Sequence, residues 1–164
     1  DEYFEIVSAK TGVLISAACR IGAALSRQPE EKEASLARFG LKTGIAFQLA
    51  DDILDYVAKQ DDLGKKLGKD LSEGKITMPL IQLLKSASDD ERQEVKDIIK
   101  NGGINEPKLQ RILELFTKYN AIEESLKAAQ QLVADAKSEL EIFPDSTEKN
   151  AIIAMSEYAM QREK

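Results

Sequence analysis

Three carboxylates and one amide share a face of a predicted helix near the middle of the chain. Gln48, Asp51, Asp52 and Asp55 stand at positions i, i+3, i+4 and i+7 of the segment F-Q-L-A-D-D-I-L-D, and side chains at these spacings are neighbours on a helix. Like charges at this distance repel, and burial among apolar residues raises the cost unless a cation is present. Mg²⁺ is the expected cation, because it binds through a few carboxylates while water and phosphate oxygens complete its octahedron. The alternative interpretation of the acids is a solvated acidic face, but apolar residues occupy the other faces of the same helix.

A lysine-rich segment directly follows the acids. The segment 63–75 then brings four ammonium groups, on Lys65, Lys66, Lys69 and Lys75, to the end of that helix. Carboxylates can bind a metal ion, and lysines can bind oxyanions. Their occurrence side by side indicates a site for a polyphosphate ligand.

Three sequence blocks, in this order, resemble trans-isoprenyl diphosphate synthases. They are S-A-K-T-G, which contains Lys10 and Thr11; F-Q-L-A-D-D-I-L-D; and L-G-K-K-L-G-K-D-L-S-E-G-K-I-T-M-P-L. The second block is similar to the second aspartate-rich region of that family. The residues of the third block are more similar to those of bacterial medium- and long-chain (octaprenyl-type) polyprenyl synthases than to those of farnesyl synthases.

The resemblance implies a role for each acid of the second block. Asp51 and Asp55 would bind Mg²⁺ directly, and Asp52 would assist through water or a second contact. In such enzymes Mg²⁺ and lysines stabilise a departing diphosphate, and this is electrostatic catalysis. Isopentenyl diphosphate then attacks the allylic cation in a cavity that excludes water.

The resemblance also implies the residues that contact the allylic substrate. Lys65 would bind the allylic diphosphate, and Lys75 and Lys10 would contact diphosphate as well. Lys10, Thr11 and Gln48 would lie along the allylic C1 atom, where positive charge develops. Without the motif, Lys10 would be interpreted as an amphipathic side chain on a packed helix.

Composition excludes several classes of protein. The 164 residues carry a net charge of −6, whereas nucleic-acid binders normally carry a basic surplus. Histidine is absent, which excludes histidine triads and the usual zinc sites. No stretch approaches the ~18 consecutive apolar residues of a membrane span, and the single Cys19 favours a reducing cytoplasm. We therefore expect a cytoplasmic protein without a transmembrane segment or a nucleic-acid partner.

The periodicity predicts an all-α fold, the C-terminal part of an isoprenoid synthase helical bundle, as one domain over 1–164. Apolar residues recur at steps of three and four throughout, and a glycine-bearing functional loop is predicted over 60–75. A last helix should begin at a capping box formed by Asp145 and Glu148 and reach Tyr158. The other helices are predicted over 2–26, 30–59, 78–85, 89–100, 107–119 and 120–143. Asn105 is predicted to cap the helix that is entered through Pro107.

The sequence departs from the family in length, because members are about twice as long. We expect the chain to lack the first aspartate-rich motif, to be inactive alone in prenyl transfer, and to expose an apolar face. The parent enzyme would be a homodimer. Two alternatives stay open: a non-catalytic partner subunit of a synthase, and a structural helical interaction module.

Overall fold

The fold is all-α, as predicted. The computed structural model describes residues 2–57, 68–100, 102–158 and 160, and within these ranges every regular element is helical. A π-helical segment, Ser8–Gly12, joins the first two helices. The helices are α1 (Glu2–Val7), α2 (Val13–Leu25), α3 (Glu30–Val57), α4 (Lys69–Ser72), α5 (Met78–Ser86), α6 (Asp89–Lys100), α7 (Glu106–Lys118), α8 (Ala121–Glu139) and α9 (Thr147–Tyr158).

The chain divides into two compact units. Among the described residues, the first comprises 2–50 with 128–158 and 160, and the second comprises 51–57, 68–100 and 102–127. Helices α3 and α8 each contribute residues to both units. The prediction of one domain over 1–164 stays a prediction.

The second unit has an apolar core formed by several helices. It is built from one face of α5, α6 and α7, together with Tyr56 from the end of α3 and Leu71 from α4. The side chains that pack there with less than 2% exposure are Leu71, Leu80, Leu83, Val95, Ile112, Leu115 and Ala121. Asn105 caps α7, because its side chain accepts a hydrogen bond from the Lys108 N–H at 3.2 Å, as predicted.

The first unit joins the start of α3 to the end of α8. Phe39, Ala136 and Leu140 form its apolar cluster. Beside this cluster, Arg38 Nε and Lys42 Nζ each lie 2.7 Å from the Glu139 carboxylate. The start of α3 and the end of α8 are thus held together by apolar packing and by charge.

Two predicted helix boundaries in the first unit are wrong. Helix α8 ends at Glu139 rather than at Phe143, because the N–H groups of Leu140 and Glu141 bond the carbonyls three residues earlier, those of Lys137 and Ser138, which tightens the last turn. Ser35 Oγ donates to the Glu139 carbonyl at this end. Helix α9 is capped by Ser146, whose hydroxyl accepts from the Lys149 N–H at 3.1 Å, and not by Asp145.

An apolar stripe on the first helices is exposed. The exposed fractions are 56% at Val13, 74% at Leu14, 58% at Ile21 and 80% at Leu25. By length and composition alone, Glu2–Leu25 could cross a membrane, and 17% of its most apolar 18-residue window is buried. Helices that pack within soluble proteins and signal sequences meet the same criteria, so the prediction of no membrane span stays a prediction.

A polar network around Glu91 joins α6 to α7 in the second unit. The Glu91 carboxylate accepts hydrogen bonds from Lys118 Nζ at 2.8 and 2.9 Å, from the Tyr119 hydroxyl, and from Ser88 Oγ at 3.0 Å. Two hydrogen bonds lower the pKa of Glu91 from 4.5 to about 2: the one from Lys118 has the largest effect, and the one from Tyr119 adds to it.

This network should make stability depend on acid pH. Because the pKa of Glu91 is lower in the folded chain, its contribution is complete above pH 4.5 and is lost as pH falls towards 2. We expect Glu91→Gln to be less stable than wild type at pH 7 and to approach wild type near pH 2. Urea titrations followed by circular dichroism measure this, with the exposed Glu141→Gln as control. A gap that stays constant down to pH 2 would contradict the assignment.

Candidate functional site

The last two turns of α3 carry the acidic stripe, and little of it is open to solvent. Asp52 is buried, with 5% of its surface exposed, and Asp51 and Asp55 are partly buried. Ile53, between Asp52 and Asp55, and Tyr56, directly after Asp55, are buried in the core with 3% and 5% exposure. The interpretation of the acids as a fully solvated face is therefore wrong for Asp52.

Backbone N–H groups of the segment that begins at Gly68 hold the Asp55 residue. Asp55 Oδ2 accepts a hydrogen bond from the Asp70 N–H at 2.9 Å, and the Asp55 carbonyl accepts one from the Gly68 N–H at 2.9 Å. Burial raises the pKa of Asp55, and the charge of the Asp70 carboxylate adds to this effect. The bond from the Asp70 N–H opposes the rise. A nearby cation would relieve this penalty on the charged form.

Lys75 lies between two carboxylates of the same segment. Its Nζ is 2.8 Å from Asp70 Oδ1 and 2.8 Å from Glu73 Oε2. The hydrogen bond that Lys75 donates to Asp70 has the largest effect on its pKa, and the bond to Glu73 adds to it, so the pKa of Lys75 lies well above its usual range. Lys75 as a diphosphate ligand stays a prediction, and Lys65 lies outside the described residues.

Two predicted site residues from distant parts of the sequence meet in the first unit. Thr11 Oγ1 donates to Gln48 Oε1 at 3.1 Å. Thr11 and the exposed Lys10 belong to the π-helical segment, in which the Val13 N–H bonds the Ser8 carbonyl five residues earlier. Short π-helical segments within α-helices occur frequently at functional sites. The predicted continuous helix over 2–26 is therefore interrupted at the lysine–threonine motif.

Small residues bring the first helices close enough for this hydrogen bond. A Cβ added at Gly44 would lie 2.8 Å from Gly12 Cα, and one added at Gly40 would lie 2.7 Å from the Ile15 carbonyl oxygen. Gly40, Gly44 and Gln48 are spaced by four, so all three lie on one face of α3. The two glycines permit close backbone approach, and Gln48 lies one turn further along.

Three residues that shape the site, Gly40, Gly44 and Asp70, were not predicted from the sequence. The four-residue spacing of Gly40 and Gly44 is a sequence signal for close helix packing, and it could have been used. Asp70 carried no such signal, because its importance comes from its hydrogen bonds to Asp55 and Lys75.

The acids fit a magnesium ion better than a closed metal cage. Among the described residues, no three histidine, cysteine, aspartate or glutamate side chains converge to hold a metal. Mg²⁺ keeps several waters and is usually bound by one or two carboxylates plus substrate phosphates. The low exposure of Asp52 and the burial-raised pKa of Asp55 fit hard oxygen donors that a cation would stabilise.

A separate cavity lies in the first unit. It has a volume of about 490 Å³ and contains none of the predicted site residues. Its walls are mostly apolar and include Cys19, Leu36, Leu140, Phe143 and Ile152. Burial raises the pKa of the Cys19 thiol, as expected for a small hydrophobic residue rather than a nucleophile.

Comparisons with known proteins agree on one family. The family model "Polyprenyl synthetase" matches residues 1–116. The chain is 33% identical over 163 residues to a short chain isoprenyl diphosphate synthase of Methanothermobacter thermautotrophicus, covering 99% of this chain and 50% of that protein. It is 31% identical to the octaprenyl diphosphate synthase of Escherichia coli, covering 100% and 50%.

Solved structures give the same result. A polyprenyl synthase from Caulobacter crescentus, complexed with calcium and isoprenyl diphosphate, superposes with a TM-score of 0.88 at 34% identity. The match covers 98% of this chain and 49% of that one. The chain thus spans about half the length of the curated relatives and solved structures that it matches.

Proposed function

Because this chain belongs to the polyprenyl synthetase family of trans-isoprenyl diphosphate synthases, we propose that it forms part of a Mg²⁺-dependent prenyltransferase. The reaction adds isopentenyl diphosphate to an allylic diphosphate. The observation that carries the proposal is the acidic stripe of α3, within the residues that match the family, with Asp52 only 5% exposed.

In this proposal the acids hold the metal. Asp51 and Asp55 bind Mg²⁺ directly and Asp52 assists, and the bound ion supplies charge stabilisation for the departing diphosphate. Carboxylates kept from solvent are suited to this task, because charge interactions strengthen where water is excluded.

The remaining predicted residues act on the substrate. Lys65 and Lys75 bind diphosphate oxygens, while Lys10, Thr11 and Gln48 lie along the allylic carbon. The hydrogen bond from Thr11 to Gln48 supports this assignment, because it fixes the donor hydroxyl and orients the amide. An amide oxygen and a hydroxyl oxygen can both stabilise positive charge that develops beside them.

We further propose that the chain supplies one of the two aspartate-rich motifs of the active site, the second one, and that another polypeptide segment supplies the first. Its 164 residues contain no second D-D-x-x-D: Asp61-Asp62 and Asp89-Asp90 are pairs without the third acid. The exposed apolar stripe on α2, with Leu14 and Leu25 at 74% and 80% exposure, supports a surface that another polypeptide segment covers. The proposal includes a homodimeric parent enzyme in a reducing cytoplasm.

A binding experiment on the purified chain tests the metal site. We expect Mg²⁺ with inorganic pyrophosphate, at ~100-fold above their dissociation constant, to stabilise the fold by about 2.7 kcal/mol. For a chain of this size that corresponds to a rise of about 5–10 °C in melting temperature. Mg²⁺ alone or pyrophosphate alone should give a much smaller rise, because each completes the site for the other.

Variants of the stripe make the test specific. Asp51→Asn and Asp55→Asn should abolish the rise, whereas Asp89→Asn, on the exposed acidic pair that begins α6, should retain it. If the chain is only a structural helical module, Mg²⁺ with pyrophosphate leaves the melting temperature of wild type unchanged. That result would overturn the proposed function.

A further inference from the structure

Asp70, in the second unit, contacts both a predicted metal ligand and a predicted diphosphate ligand. Its backbone N–H donates to Asp55 Oδ2 at 2.9 Å, and its own Oδ1 accepts from Lys75 Nζ at 2.8 Å. We propose that Asp70 is a positioning residue that couples Asp55 to Lys75. The inference rests on the proposed function.

The backbone around Asp70 is built to present its N–H to Asp55. Gly68 adopts φ of +68°, in the left-handed region that glycine occupies without strain, and a Cβ there would lie 2.5 Å from Leu109 Cδ1. From this turn the chain enters α4, and the Gly68 and Asp70 N–H groups both point to Asp55. The buried Leu71, with 1% exposure, anchors the same turn in the core.

The side-chain half of the coupling is an ion pair that closes the turn. Lys75 spans from Asp70 to Glu73, and the Lys75 N–H also donates to the Asp70 carbonyl at 2.9 Å. Lys75 is thus fixed to Asp70 by side chain and by backbone. Any shift of Asp70 therefore displaces both the bond to Asp55 and the ammonium group.

Stability alone does not explain this arrangement. The side chains of Asp70 and Lys75 are 23% and 54% exposed, and ion pairs of such exposure contribute little to folding. Groups that orient a metal ligand, by contrast, typically change metal affinity by ~10–100-fold when removed. The expected effect is therefore on ligand binding and on the local order of the turn, with the melting temperature of the ligand-free chain nearly unchanged.

The ligand-free chain provides the first test. We expect Lys75→Met to accelerate hydrogen exchange of the Asp70 amide by about fivefold, measured by NMR, because the ion pair holds that amide against Asp55. Glu73→Gln is the matched control, since Glu73 contacts the same ammonium group and does not bond Asp55 in the described structure. Unchanged exchange of the Asp70 amide in Lys75→Met would overturn the proposal, whatever the chain binds.

A double-mutant cycle with Mg²⁺ and inorganic pyrophosphate provides the second test. Asp70→Ala and Lys75→Met should each weaken binding by about tenfold, and the double variant should be no weaker than either, because both remove one coupled unit. Glu73→Gln should bind within about twofold of wild type. Multiplicative losses in the double variant, or wild-type binding in Asp70→Ala, would overturn the coupling. If wild type itself does not bind, the proposed function fails and the exchange result alone decides the role of Asp70.

Discussion

Gly44→Val should destabilise the first unit by about 2–3 kcal/mol. A Cβ at this position lies 2.8 Å from Gly12 Cα and 3.3 Å from Gly12 N, so it meets backbone that cannot rotate away. Overpacking of a helix contact typically costs about 1–3 kcal/mol, and a branched side chain adds further contacts. The gain in helix propensity over glycine, ~0.5 kcal/mol, does not offset this cost.

The same substitution at Gly22, on α2, is a matched control for this prediction. A Cβ added at Gly22 meets no described atom within 4 Å, so Gly22→Val should stabilise the chain by about 0.5 kcal/mol, the gain in helix propensity alone. Urea unfolding followed by circular dichroism at 222 nm measures both, because the chain has no tryptophan to report by fluorescence. Equal effects of the two substitutions would show that close approach of the helices does not depend on Gly44.

The fold class and most helices could be predicted because local signals were strong. Helix α6 spans Asp89–Lys100 as predicted, since acids begin it, a basic residue ends it, and glycines follow. The capping of α7 by Asn105 was predicted from the residue type and the following Pro107. The acidic stripe was likewise visible from spacing alone, because helical periodicity fixes which side chains share a face.

The helix boundaries that were wrong depend on contacts between distant residues. Ser35 donates to the carbonyl of Glu139, 104 residues away in sequence, at the residue where α8 ends. The π-helical turn at Ser8–Gly12 accompanies the close pass of Gly12 and Gly44. Local propensity contains no information about such tertiary partners.

The electrostatic arrangement of the site could be predicted only in part. Spacing indicated that Asp55 belongs to the acidic face, but its bond to the Asp70 N–H depends on the turn at Gly68. Lys75 was assigned to a diphosphate from composition and resemblance, and its contacts to Asp70 and Glu73 add a positioning role to that prediction. The charge pattern of the sequence predicts which charged side chains lie near one another. Backbone hydrogen bonds determine which of these side chains are in contact.

Phe116→Ala should cost the second unit about 3–5 kcal/mol, the largest loss expected from a single substitution here. Phe116 is 2% exposed, and its ring meets the ring of Tyr56 edge to face, with centroids 5.0 Å apart and planes at 90°. The Tyr56 hydroxyl lies 3.1 Å from Thr77 Oγ1, and both residues are buried. Because Tyr56 directly follows Asp55, this packing fixes the turn of α3 that carries the acids.

The site should therefore respond to a substitution that touches none of its ligands. Phe116→Ala leaves Asp51, Asp52 and Asp55 in place but frees the Tyr56 ring, so we expect the rise in melting temperature with Mg²⁺ and pyrophosphate to shrink along with the stability. Phe4→Ala is the control, because Phe4 is 38% exposed and its removal should cost less than about 1 kcal/mol. If Phe116→Ala lost no more stability than Phe4→Ala, the ring contact would not support the end of α3. If it lost stability but kept the full rise, the acids would be positioned by the Asp70 turn alone.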